Sequence, residues 1–91
     1  MGTTNRFTKD PEATLDYQVD WEDWLAGDTI STSAWTVPEG LTEVSDTKTT
    51  STATVWLSGG TAGQTYAVEN KIVTADARTD ERTIYIECIE K

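Results

Sequence analysis

No histidine occurs in the 91 residues, and that one absence removes the usual general base, the common zinc ligand and every Ser–His or Cys–His pairing. Cysteine is nearly absent as well. Cys88 stands alone, so no internal disulfide staples the chain. Its place in the alternation Ile84, Ile86, Cys88 reads as a small buried hydrophobe, with an intermolecular disulfide as the other possibility. Cations are scarce: 7 Lys and Arg face 16 Asp and Glu, for a net charge of -9. That balance repels phosphate backbones and anionic lipid alike, which disfavours nucleic acid and membrane as partners. The first 13 residues lack the apolar run of a signal peptide or membrane span, and Arg6 stands where a myristoylation signal needs Ser or Thr. Synthesis in the cytoplasm is the resulting expectation. Neither Asn5 nor Asn70 opens a glycosylation sequon.

What is present fits one small β domain. The length is close to the roughly 100 residues of an immunoglobulin-like sandwich and leaves no room for a second core. Hydrophobic residues make up 36%, with four tryptophans, enough for a small core whose stability stays marginal without a partner. Threonine is roughly a fifth of the chain, and its β-branching favours strands.

Residues 1–13 are polar, carry Pro11 and offer only Phe7 for burial, so they read as an arm without a fold of its own that orders on a partner. Residues 14–91 form the expected domain. Leu15, Tyr17 and Val19 alternate with Asp16, Gln18 and Asp20 as a first strand with one buried face. Trp21, Trp24, Leu25 and Gly27 then suit a single helical turn closed by glycine and capped by Asp20. Thr29–Val37 is a second strand, with a slip of alternation between Ile30 and Trp35 that fits a bulge. Pro38-Glu39-Gly40 is a turn and Leu41–Val44 a short strand. Residues 45–52 contain no apolar side chain, as in an exposed loop or a polar edge strand.

Three further strands follow, near 53–57, 66–74 and 83–89, the last two joined into a hairpin by a polar link. Trp56 lies opposite the face of Ala53, Val55 and Leu57. It is either core or subunit contact if that side is covered, or a contact surface if it is open. Gly59, Gly60 and Gly63 form a tight corner into Tyr66, whose ring would fill the end of the core while its hydroxyl bonds back to the corner backbone. No helix follows the glycines, which disfavours a phosphate cradle. The last strand lacks a cleanly polar face, a sign of partial cover by the arm or a neighbour.

Asp16, Asp20, Glu22, Asp23 and Asp28 crowd the first third, where carboxylates in close array would bind calcium or pair for glycoside hydrolysis. Strand rise alone separates Asp16 and Asp20 by about 13 Å, so a solvated face is the simpler reading. Neither a catalytic residue nor a metal or cofactor is expected. The hydroxyls lack an activating base, and the Arg78–Arg82 link reads as a salt-bridged hairpin tip.

The blocks LDY, DW, WL, DTI, WLSGGTAG and RTDERTI, in that order over residues 10–89, resemble the small fibre-tail adaptor proteins of tailed bacteriophages. Those relatives often carry glycine where this chain has Ala77. The resemblance implies an immunoglobulin-like β-sandwich in the tail of a virion, made in the bacterial host cytoplasm. It further implies a non-enzymatic protein in multiple copies linking a fibre to the tail or baseplate. With that role, Phe7, Tyr17, Trp21, Trp24 and Leu25 are the expected partner-binding residues, since aromatic side chains dominate interface energy. Trp21 and Trp24 plugging the bottom of the sandwich is the competing reading. A carbohydrate- or receptor-binding module, with Trp56 or Trp35 stacking a sugar, is the rival function.

Overall fold

A computed structural model describes residues 6–90. In chain order the elements are β1 (Arg6–Lys9), β2 (Leu15–Asp20), α1 (Glu22–Leu25), β3 (Ile30–Thr36), β4 (Leu41–Lys48), β5 (Thr52–Gly59), β6 (Thr65–Thr74) and β7 (Thr79–Cys88). One sheet has the order β1-β7-β6-β3 and the other β2-β5-β4. The chain is thus an all-β sandwich with one short helical turn.

Period-2 alternation accounts for the core, because successive side chains of a strand face opposite sides. Tyr17 and Val19 of β2 and Ala53, Val55 and Leu57 of β5 face inward from one sheet. Val68 and Ile72 of β6 and Ile84, Ile86 and Cys88 of β7 meet them from the other. Phe7, Trp24, Trp35, Val37 and Tyr66 pack around this cluster half-buried. Cys88 is fully buried and free.

The segment expected to be an arm is in part a strand of the domain. β1 runs parallel to β7, with Arg6 opposite Tyr85 and Lys9 opposite Cys88. Tertiary bonds offset the ordering entropy that composition alone argued against. Phe7 stacks tilted on Tyr17 at 5.1 Å, and the Tyr17 hydroxyl donates to the Thr8 carbonyl at 3.2 Å. Lys9 is 0% exposed, and its ammonium donates to the carbonyls of Gly59 at 2.6 Å and Asp10 at 3.0 Å. Residues 1–5 of the expected arm lie outside the described residues.

Two other elements are longer than their apolar patterns. β4 continues through Lys48 as a polar edge strand, paired to β5 as far as Lys48 opposite Ala53. The β6–β7 ladder closes as far as Val73 opposite Thr79, so β7 takes in Thr79, Asp80 and Glu81 of the expected link and leaves residues 75–78 as the turn. Irregularities interrupt β3 between Ile30 and Thr32 and β4 between Glu43 and Ser45.

Candidate interaction surfaces

At one end of the sandwich the glycine-rich corner meets Tyr66. The Tyr66 hydroxyl accepts the Thr61 N–H at 3.0 Å, and Gly63 N–H donates to the Cys88 carbonyl at 2.8 Å. Gly40 and Gly60 make the close packing possible. A Cβ on Gly40 would lie 2.7 Å from the Tyr66 ring, and one on Gly60 would collide with the Cys88 sulfur; both residues have φ near +100°. Gly59 supplies the carbonyl that holds Lys9. The corner therefore joins β1, β5, β6 and β7.

At the other end, α1 is clipped beneath the β6–β7 hairpin. The Asp20 carboxylate accepts the Glu22 N–H at 2.9 Å, and Ala26 closes the turn in the left-handed conformation. Trp21 is 0% exposed; its indole donates to Asn70 Oδ1 at 2.9 Å. Asn70, also fully buried, donates to Ser33 Oγ at 3.0 Å and to the Ala34 carbonyl at 3.2 Å. Trp24 stands edge-on to Trp21 at 5.4 Å. Over each indole lies a guanidinium, Arg82 at 4.3 Å from Trp21 and Arg78 at 4.4 Å from Trp24. Such stacks are worth about 0.5–2 kcal/mol each. Arg82 also donates to the Asp20 carbonyl and Arg78 to the Leu25 carbonyl, each at 2.8 Å.

Asp28 completes the clip. Arg78 Nε lies 3.2 Å from its carboxylate, and Thr29 N–H donates to it at 2.8 Å. The Thr74 hydroxyl foremost, then the Thr29 amide and Arg78, hold this carboxyl below its ordinary value.

These positions divide the expected partner-binding set. Tyr17, Trp21 and Leu25 are core side chains, whereas Phe7 and Trp24 are half-buried at the surface. The reading of Trp21 as a plug thus matches its environment. WxxW spacing could not separate the alternatives, because the same pair suits an anchor or a core. The buried hydrogen-bond partner of Trp21, Asn70, is 49 residues away in sequence.

Trp35 and Val37 pack against the core, and Trp35 Nε1 is buried without a partner among the described residues. Trp56 projects from the outer face of β5, between Asp16 on β2 and Ser45 on β4. Where the chain passes from β1 to β2, an open cleft is lined by Asp10, Glu12, Ala13 and Glu90. Among the described residues no three His, Cys, Asp or Glu side chains gather as a metal site, and no helix is long and apolar enough to cross a membrane.

Residues 9–87 match the family described as podophage GP4 fiber-tail adaptor protein gp77. The chain belongs to that family. A structural place in a phage virion, among tail components, is the coarse assignment that follows. No curated protein matches the chain in sequence. The adaptor match spans the structural devices described above: the Gly59–Tyr66 corner, the α1 turn and the hairpin arginines. Ala77 adopts φ +65° in the turn that reverses β6 into β7. Its N–H donates to the Thr74 carbonyl at 2.9 Å.

Proposed function

We propose that this chain is a non-enzymatic structural connector, present in multiple copies, that joins a tail fibre to the tail or baseplate of a tailed bacteriophage. The observation that carries the reading is the adaptor-family match over residues 9–87. The topology supports an immunoglobulin-like form of the sandwich. Lettered in chain order from β1, the sheets are B-E-D and C-F-G, with the first strand beside the seventh. Sandwiches of this kind build and bind through their faces and ends, and the sequence supplies no histidine for acid–base work.

In this reading the N-terminal segment and the α1 turn are the docking elements, set toward opposite ends of the sandwich. Phe7 and Trp24 offer their accessible aromatic surface, and Tyr17, Trp21 and Leu25 support them from within. The acidic surface selects neutral or basic protein partners. No cofactor takes part.

Particles from a phage whose copy of this chain is knocked out should carry tails without fibres, and supplying the chain in trans should restore them. Quantitative mass spectrometry of complemented particles should then find the chain in a fixed ratio to the tail proteins. Fibres attached normally in its absence would overturn the connector role.

A further inference from the structure

We propose that the outer face of the β2-β5-β4 sheet, centred on Trp56 and Val44, docks a virion protein that presents an apolar pocket rimmed by lysine or arginine. The proposal rests on the adaptor reading and gives it a second surface, as a connector needs.

Trp56 lies on the central strand of its sheet, with Val55 and Leu57 on either side fully buried. Alternation therefore turns its indole away from the core, where it is 39% exposed. Its neighbours across the ladder are Asp16 and Ser45, and two residues back along its own strand Thr54 lies between Gln18 and Thr47. The domain's packing makes no use of a large apolar side chain there; a threonine would match its surroundings.

Val44 is the second observation. Glu43 pairs with Leu57 and Ser45 with the adjacent Trp56, so Val44 is the extra residue of a bulge located opposite the indole. Bulges re-aim side chains, and Val44 is 56% exposed, the most exposed of the large hydrophobic side chains among the described residues. An indole and an isopropyl group thus break an otherwise hydroxyl, amide and carboxylate surface. An apolar centre within a polar rim is the anatomy of a protein interface.

Charge selects the occupant. Asp16 and Asp20 alternate onto this face, while Lys48, the cation of these three strands, stands opposite the inward-facing Ala53. The face is acidic on a chain of net charge -9. A second copy would present like charge to like, and so would an anionic glycan or lipid. A protein with a cationic rim meets both the indole and the carboxylates.

Particles purified without the adaptor are the probe, loaded with wild-type chain or with Trp56→Ser, Val44→Lys or Asp16→Lys. Thermal melts of the free variants should superimpose on the wild type, because all three side chains are exposed. Trp56→Ser and Val44→Lys should cut adaptor or fibre occupancy by roughly tenfold or more, as expected for a hot-spot residue. Asp16→Lys should show a deficit that shrinks as salt is raised. Folded variants that load and retain fibres like the wild type would overturn this proposal alone. Variant particles that assemble fully yet no longer adsorb to cells would overturn it too, in favour of a receptor or glycan site. Failure of the wild-type chain to load would instead overturn the adaptor reading itself.

Discussion

Ala77 holds φ +65°, a conformation that costs an L residue roughly 1 kcal/mol or more relative to glycine. Ala77→Gly is therefore expected to raise the unfolding free energy by about 0.5 kcal/mol, after the entropy that glycine returns to the unfolded chain is deducted. Urea denaturation checks it, and a destabilised variant would contradict the turn geometry. Asn70 tests the packing beneath the same hairpin. Asn70→Leu strands the buried indole N–H of Trp21 and should cost about 1–3 kcal/mol, readable in the same denaturation. Tyr66→Phe removes only the acceptor for Thr61 N–H, which lies at the surface, so a loss of about 0.5–1 kcal/mol is expected. At this scale much was legible beforehand. The glycine run before Tyr66 has few physical uses, and a corner is one of them. Trp21 was less legible because its hydrogen-bond partner is set by tertiary structure.

The elements differ in how their sequences announce them. β2, β5, β6 and β7 alternate because one face of each is covered, which makes their pattern readable. The end of β4 has no apolar residue because it is a sheet edge with neither face covered, so it resembles a loop. β1 has a single half-buried Phe7 in four residues and gains its place from parallel pairing with β7, about 80 positions away, which leaves no local pattern. The imperfect polar face of β7 was the available signal for a neighbour. Trp56 was legible as an anomaly only, since its meaning depends on whether the outer face is covered.

Two carboxyl groups give these elements opposite pH dependences. Hydrogen bonding with Asp46, then burial and the Asp46 charge, push the Glu43 carboxyl up to about 7. The folded chain thus binds the extra proton between the ordinary value of 4.5 and about 7. This contribution to stability is full below 4.5 and lost as pH rises through 7. Denaturant midpoints from pH 5 to 8 should decline for the wild type and flatten for Glu43→Gln; equal slopes would contradict the shared proton. Asp28 has the reverse sign. Its lowered value means that the α1 clip contributes fully above 3.8 and weakens as pH falls through the folded-state value. Tryptophan fluorescence should follow that loosening in acid, and Arg78→Ala should produce the same change near neutral pH.

For the whole molecule, two structured ends and an acidic sheet face bearing an indole are the surfaces on which the proposed connector role rests. The 41 Å long axis is short beside a fibre or a tail, so a connector of this size acts as a joint between surfaces and not as a spacer. The rival soluble binding module would fold equally well, and only position in the particle separates the two. Cryo-electron microscopy of the intact virion tests the central claim most directly. The connector account predicts density for this sandwich at every junction between fibre and tail, with Trp56 and the α1 end facing different neighbours. Particles with complete fibres and no such density at the junctions would contradict it.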